Sequence, residues 1–215
     1  AFGTGSMQYW PNRLSDVQKV LMDPRKLDLA KEFDDSGYRS TVWGNVATAW
    51  GAMAHEMGHA FGLPHSNDRF SVMSRGFDFF NRTFTVDEPP RASDKPDAPN
   101  KTYTADEHAH WDKYSAAKLN WSAYFQPDWV VPKGDDPSIV FEGDEVVFRA
   151  PAGIRVWGTD ADDLTAQFEE NLLRVALTEV RASRKSLRER LGSKGVFRIT
   201  LVDSNGNFVT VEDKP

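Results

Sequence analysis

Three of the chain's five histidines lie in one short stretch, AHEMGHAFGLPH, at residues 54–65. In an α-helix each residue turns by about 100°, so positions four apart lie nearly over one another. His55 and His59 would therefore point the same way from one helical face. Two imidazoles at this spacing can bind one zinc ion through ring nitrogens at about 2.0 to 2.1 Å. The spacing thus predicts the first two ligands of a metal site.

A third ligand requires a change of direction in the chain. Gly62 tolerates a positive φ at little cost, so the chain can turn after Phe61 and bring His65 toward the ion. Three neutral nitrogens leave the fourth tetrahedral position open for water, as in a catalytic zinc site. Glu56 flanks that position and can accept a proton as zinc-activated water attacks a carbonyl. The chemistry predicted from these residues is hydrolysis of an amide.

The length of the motif decides how much weight it carries. The short pattern HExxH is weak evidence, because it also arises by chance. The extended pattern HExxHxxGxxH fixes five residues, and three of them are histidines. The alternative is a set of three hydrogen-bonded histidines that bind no metal.

A helix over residues 41–61 must position these side chains. Its apolar residues recur with a period of 3.6, and Gly62 and Pro64 end it. The large apolar residues are predicted to pack on the side opposite the histidines: Trp43, Val46, Trp50, Met53, Met57 and Phe61. Glycines recur at residues 44, 51 and 58, where each costs a helix about 1 kcal/mol relative to alanine. They indicate close approach of another backbone segment or of the substrate, or else tight packing alone.

The stretch HEMGHAFGLPH followed by SVM resembles the metzincin clan of zinc peptidases, and it is most similar to a family of fungal metallopeptidases. The resemblance implies one catalytic Zn²⁺ with His55, His59 and His65 as ligands. It also implies Glu56 as the general base and Met73 as the methionine of the turn beneath the metal. The expected activity is that of a zinc-dependent endopeptidase acting on a peptide or protein substrate.

Two features depart from the metzincin pattern. Several metzincins place a tyrosine two residues after the turn methionine, where this chain has Arg75. Arg75 could stabilise an oxyanion or bind substrate, or it could form a surface ion pair. Only 54 residues precede His55, although metzincins build most of a twisted sheet before this helix. We therefore expect an N-terminally truncated domain, with any substrate-binding strand within residues 1–10.

The remaining pattern indicates an α+β protein of two domains. A capping box at Thr104 and Glu107 predicts a helix over residues 105–119, which would close a zincin-like or metzincin-like catalytic domain of residues 1–128. A stretch rich in proline, glycine and aspartate follows at residues 126–138. Residues 129–215 then alternate with period two and predict a mostly β, sandwich-like domain. The predicted strands are SIVF, EVVFRA, GIRVWG, RVALTEV, VFRITLV and FVTVED, the last two joined by the turn DSNGN.

The composition limits which metal ligands and which classes of partner we expect. The chain has 40% hydrophobic residues, no cysteine and a net charge of -6. Any metal must therefore bind nitrogen or oxygen ligands. Because no block of Lys and Arg occurs, we expect no nucleic acid partner. We also expect no membrane segment or signal, which leaves the location unknown, either secreted or cytoplasmic.

The competing hypothesis is a protein without catalytic activity. In that case the zincin-like half would be inactive, and the β domain would bind carbohydrate or protein.

Overall fold

The computed structural model describes residues 4–34, 36–95, 97–126, 135–161, 164–191 and 196–214. It combines helices with antiparallel sheets, which confirms the predicted α+β class. The chain divides into two compact units, one of Ala1–Gly62 with Ser66–Asp112 and one of Leu63–His65 with Lys113–Pro215. The predicted boundary between residues 128 and 129 lies outside the described residues. None of the helices within the described residues combines the length and apolar character that crossing a membrane requires.

The first unit is built from helices and short turns around one long helix. In chain order its elements are a 3-10 helix (Thr4–Tyr9), a 3-10 helix (Leu14–Asp16), α1 (Val17–Leu21), α2 (Val42–Ala60), a 3-10 helix (Arg75–Phe79), α3 (Arg82–Thr85), β1 (Asp87–Glu88), β2 (Lys101–Thr102) and a 3-10 helix (Ala105–Glu107). Strands β1 and β2 pair antiparallel and close the proline-rich loop between them.

Helix α2 matches the helix predicted over residues 41–61. The Thr41 side chain accepts a hydrogen bond from the Gly44 N–H and caps its first turn. At the other end Gly62 has φ of 74°, a left-handed conformation that glycine adopts without strain. The sequence therefore defines both ends of this helix through its capping residues.

The predicted apolar face of α2 is buried only along its first half. Val42, Val46 and Ala47 form a cluster with α1, and the N-terminal aromatic residues pack against that cluster. Met53 and Met57, farther along, are 39% and 51% exposed. The reason is the length of the covering elements, because α1 and the N-terminal turns reach only the first half of the helix.

The strand predicted within residues 1–10 is wrong for the described part, because Thr4–Tyr9 forms a 3-10 helix. This turn lets Tyr9 and Trp10 pack against the α1–α2 cluster. The Trp10 ring lies edge-on to Trp50, with centroids 6.0 Å apart. Burial of two aromatic rings outweighs the weak β pattern of so short a segment.

The helix predicted over residues 105–119 is interrupted. The Thr104–Glu107 capping box is present, but the 3-10 helix ends at once and His108 is extended, with φ of -81° and ψ of 155°. The next residues bond elsewhere, because the His110 N–H donates to the Phe70 carbonyl and the His110 carbonyl accepts from Val72. These tertiary hydrogen bonds replace the helical ones, and a new helix begins at Lys113.

The second unit consists mainly of two antiparallel sheets. Its elements after residue 112 are α4 (Lys113–Trp121), a 3-10 helix (Ala123–Phe125), β3 (Ser138–Glu142), β4 (Glu145–Arg149), β5 (Ile154–Ala161), β6 (Leu164–Glu170), β7 (Glu179–Ser183), α5 (Arg184–Leu191), β8 (Phe197–Asp203) and β9 (Phe208–Asp213). One sheet has the order β3-β4-β7, and the other has the order β6-β5-β8-β9. A single apolar cluster includes Val146 and Phe148 of the first sheet and Trp157, Ile199 and Leu201 of the second, as expected for a sandwich.

Five of the six predicted strands correspond to β3, β4, β5, β8 and β9. The predicted strand RVALTEV, residues 174–180, is mostly wrong, since β7 begins only at Glu179. No strand is predicted from the sequence over residues 164–170, where the structure has β6 at an edge of the four-stranded sheet. Helix α4 packs on β5, where the ring of Tyr114 fills the space left by Gly158.

Candidate metal centre

The three histidines of the motif come together in space. One ring nitrogen from each of His55, His59 and His65 can be chosen so that all three atoms lie within 4.8 Å of one another. The Nε2 atoms of His55 and His59 are 3.1 Å apart. His55 is buried, whereas the other two rings are partly accessible. Helix α2 therefore places its two histidines on one face, as the spacing of four residues predicts.

A backbone carbonyl fixes the protonation of His55. Its Nδ1 lies 2.7 Å from the carbonyl oxygen of Val72. Because a carbonyl can only accept, Nδ1 must carry the hydrogen, and the lone pair of the neutral ring is then on Nε2. Nε2 is also the atom that faces His59. This hydrogen bond leaves the ring nitrogen inside the cluster ready to bind a metal.

The main chain around His65 is held on both sides. Its carbonyl oxygen accepts from the Thr165 N–H at 2.9 Å and from the Thr165 hydroxyl at 3.1 Å. Leu164 forms an isolated parallel β-bridge with His65. The N–H of the next residue, Ser66, donates to the Met73 carbonyl at 2.9 Å. The backbone that carries the third ring is therefore fixed, although it follows the left-handed turn at Gly62.

The donor set fits zinc. Ring nitrogens bound at 2.0 to 2.1 Å around a tetrahedral ion lie roughly 3.4 Å apart, close to the 3.1 Å between the two Nε2 atoms. The chain has no cysteine, so thiolate-dependent copper and iron–sulfur sites are excluded. Three neutral imidazoles with an accessible side are the ligand set of a catalytic zinc site.

Two glycines of α2 allow other segments to lie directly against the helix. A Cβ at position 58 would collide with the sulfur of Met73, which is fully buried. A Cβ at position 51 would collide with the backbone carbonyl of Phe77. At position 51 the glycine therefore allows another backbone segment to approach closely, whereas at positions 44 and 58 it allows tight packing of side chains, those of Arg39 and Met73.

Phe77 lies on this segment beside His55, and Arg75 packs on Phe77. The Phe77 ring meets the His55 ring edge-on, with centroids 5.3 Å apart. The Arg75 guanidinium lies 4.9 Å from the centroid of Phe77 and forms an ion pair with Asp78. Arg75 thus makes the surface ion pair that the sequence left as an alternative.

Comparison of the sequence with models of protein families shows which family the chain belongs to. The family model Metallopep, described as "Putative peptidase family", matches residues 1–149. The chain belongs to this family. The match includes all three histidines of the cluster, Glu56 and Met73.

Two curated yeast proteins are similar to parts of this chain. Both are named "Putative zinc metalloproteinase". The one from Schizosaccharomyces pombe is 38% identical over 89 residues, which are 40% of this chain and 14% of the relative. The one from Saccharomyces cerevisiae is 24% identical over 140 residues, 65% of this chain and 19% of the relative. The chain therefore spans less than a fifth of the length of either protein. Both names refer to zinc, and the three-histidine cluster of this chain offers nitrogen ligands of the kind that zinc binds.

Solved structures of OgpA from Akkermansia muciniphila show a distant similarity. The wild-type protein is 19% identical, with a TM-score of 0.40, and the match covers 82% of this chain and 52% of OgpA. A catalytically inactive OgpA in complex with an O-glycopeptide substrate is 18% identical at the same TM-score of 0.40, covering 82% of this chain and 51% of OgpA. This similarity is too weak to support an assignment.

Glu56 lies on α2 directly after His55, and its side chain is exposed. Because successive helical residues turn by about 100°, Glu56 lies on the flank of the face that carries His55 and His59.

Three groups beside the cluster escape prediction from sequence. Any residue supplies a carbonyl like that of Val72, so its role has no signature in the sequence. Thr165 is 100 residues away from His65 and lies in an unpredicted strand. Phe77 belongs to a phenylalanine-rich run, and that pattern does not indicate which ring meets His55.

Proposed function

We propose that this chain carries the catalytic core of a zinc-dependent endopeptidase. The observation that carries the proposal is the cluster of three imidazole nitrogens, in which the Val72 carbonyl fixes the tautomer of His55. Membership of a peptidase family and the names of the two yeast relatives support the same activity.

In this proposal His55, His59 and His65 would hold the ion. When bound, zinc would lower the pKa of water in the open position and polarise the scissile carbonyl. Glu56 would act as general base: its carboxylate oxygen would accept a proton from the attacking water and pass it to the leaving nitrogen. Met73 would form the apolar floor of the site, since its buried sulfur lies against Gly58.

The surroundings of the cluster support an extended peptide as substrate. Phe77 is half-buried and stands beside His55, so it offers an apolar surface next to the reacting bond. Ligand sites are lined mainly by apolar and aromatic side chains, so the Phe77 ring would contact a side chain of the bound peptide.

Metal analysis tests the ligand set. The purified chain should bind one zinc ion, and His59→Ala should lose it. The matched control is His108→Ala, because His108 lies outside the cluster and its Nε2 is 3.3 Å from the Tyr103 carbonyl. Zinc retained by His59→Ala, or lost by His108→Ala, would contradict the ligand assignment.

A peptidase assay tests Glu56. With a peptide library as substrate, Glu56→Gln should lower kcat/KM by at least about 100-fold, the usual contribution of a positioned general base. Zinc content should stay unchanged, since Glu56 is not a ligand. Glu189→Gln on α5 is the matched control, with a side chain that is 66% exposed. Bound zinc without cleavage of any library peptide would contradict the enzymatic function of this chain and favour a binding protein.

A further inference from the structure

One residue satisfies the His65 carbonyl with two donors. Thr165 contributes its N–H at 2.9 Å and its hydroxyl at 3.1 Å. A carbonyl oxygen has two lone pairs, so this pair of hydrogen bonds can use its whole accepting capacity. One bond sets the distance of the carbonyl from β6, and two bonds also restrict its direction. Both residues lie within the second compact unit.

Strand β6 is itself fixed at this point. It pairs antiparallel with β5, with Thr165 opposite Asp160 and Leu164 opposite Ala161. The register shifts between Thr159 and Asp160, and such irregularities often redirect the neighbouring side chains. Asp160 is buried and accepts a hydrogen bond from Arg198 Nε at 2.7 Å, which anchors the partner strand.

The hydroxyl is the specific part of this arrangement. Any residue except proline would supply the N–H of position 165, but only threonine or serine adds a short hydroxyl donor at the same place. Thr165 reaches only the main chain of His65 in these bonds, so its effect on a metal would pass through the histidine.

We infer that Thr165 is a positioning residue for the third zinc ligand. Its hydroxyl holds the His65 backbone so that the imidazole stays within reach of the nitrogens of His55 and His59. The inference rests on the proposed metal site and extends it to a residue outside the segment 1–149 that the family model matches. A partner that orients a metal ligand typically changes metal affinity by about 10- to 100-fold when it is removed.

The experiment uses the full 215-residue chain. Thr165→Val removes the hydroxyl with little change of shape, and Thr165→Ser restores it. Thr200→Val is the matched control, because Thr200 is a buried sheet threonine whose hydroxyl bonds Thr210 at 3.0 Å. Zinc affinity is measured by chelator competition, ligand geometry by the visible absorption of the Co²⁺-loaded protein, and stability by urea unfolding of the metal-free protein.

We expect Thr165→Val to weaken zinc binding about tenfold and to change the intensity of the Co²⁺ bands. Thr165→Ser and Thr200→Val should keep the affinity and spectrum of the wild type. Equal zinc affinity in the wild type and Thr165→Val would overturn the inference and leave the metal site intact. Weaker binding with an unchanged Co²⁺ spectrum and a matching loss of metal-free stability would also overturn it, as a purely structural effect. A wild-type chain that binds no zinc would overturn both proposals.

Discussion

The first compact unit buries arginines among aromatic rings, whereas the core of the second consists of aliphatic and aromatic side chains packed on one another. Arg82 lies between the rings of Phe79 and Tyr103, with its Nε 2.8 Å from Glu88. In the second unit Phe148 and its neighbours form one continuous apolar cluster.

The difference follows from how each unit satisfies its backbone. The sheets of the second unit pair their own N–H and C=O groups, so its apolar cluster contains no arginine among the described residues. The first unit has long irregular segments whose carbonyls need donors. Arg39 donates to the carbonyls of Ser36 and Asp78 at 2.7 Å each, and Arg82 donates to that of Glu107 at 3.0 Å. A guanidinium has five N–H donors in a plane, which suits this task. Burial also lowers the pKa of Arg39.

The largest effect should come from the apolar core of the second unit. Phe148 is fully buried, and Phe148→Ala should lower the free energy of unfolding of this unit by about 4 kcal/mol, through lost transfer energy and a cavity. Native-state hydrogen exchange of the β8 amides measures the loss. Phe141→Ala is the control, because Phe141 is 38% exposed. If both substitutions cost the same, the packed core would not be the source of stability.

The buried ion pair of the first unit should be the next most sensitive feature. The side chains of Arg82 and Glu88 are only 5% and 4% exposed. Arg82→Met should lower the free energy of unfolding of the first unit by about 3 kcal/mol, because it leaves the buried Glu88 carboxylate without its partner. Native-state hydrogen exchange of the α2 amides measures the loss.

The double variant Arg82→Met with Glu88→Leu should recover much of this loss, because no buried charge is then left without a partner. In the second unit Arg181→Gln should cost less than about 1 kcal/mol, since Arg181 and its three glutamate partners are exposed. Similar losses for Arg82→Met and Arg181→Gln would remove the contrast between the units.

Backbone crowding provides a third test, specific to the first unit. Gly51→Ala would place a Cβ on the Phe77 carbonyl. The collision should cost about 2 kcal/mol, more than the roughly 1 kcal/mol that alanine contributes to a helix. Zinc affinity should also fall, because Phe77 packs against His55. Gly5→Ala, which has open space around it, should have little effect. A stabilised Gly51→Ala variant would argue against close packing at this face.

A charged pair at the surface of the first unit should give the smallest effect. His110 Nε2 lies 2.9 Å from an Asp68 carboxylate oxygen. Burial works against the charge on His110, but the Asp68 carboxylate outweighs it and raises the pKa of His110. Burial also opposes the charge on Asp68, but the hydrogen bonds from His110 and the Phe70 N–H outweigh it and lower the pKa of Asp68.

The signs of these shifts define a pH window. The raised pKa of His110 contributes stability that is complete below about pH 6.5 and is lost as pH rises through the folded value. The lowered pKa of Asp68 contributes stability that is complete above about pH 4 and is lost as pH falls through the folded value. Asp68→Asn should therefore destabilise the metal-free protein most near pH 5, by less than about 1 kcal/mol. The effect should be smaller at pH 8, where His110 is neutral and only the hydrogen bond from the Phe70 N–H to Asp68 still contributes. Urea unfolding across this range measures it, and a constant difference between the two proteins would contradict the pairing.

Local patterns account for most of what the sequence predicts. Helix α2 follows from its apolar period and capping residues, and five strands follow from alternation. The grouping of His55 and His59 follows from helical geometry alone. The turn at Gly62 predicts that His65 returns toward them, but not the hydrogen bonds that hold it there.

The errors arise where distant parts of the chain decide the outcome. Residues 108–112 leave the predicted helix because His110 bonds to Phe70 and Val72. The N-terminal segment forms a 3-10 helix rather than a strand because Tyr9 and Trp10 then pack against the α1–α2 cluster. Strand β6, LTAQFEE, does alternate apolar and polar residues, so the sequence contains a signal for it that the prediction misses. Its contact with His65, 100 residues away, has no signature in the sequence.

The Val72 carbonyl has a consequence for attempts to transplant this site. A designer who copies the histidines, Glu56 and Gly62 onto a helix of another scaffold would reproduce every residue of the motif. The His55 ring would then lack its acceptor, so it could adopt either tautomer and could also rotate so that Nε2 points away from the ion. The part that must be transferred is therefore larger than the motif. It includes a second backbone segment beside the helix, which supplies the carbonyl and can have any side chains.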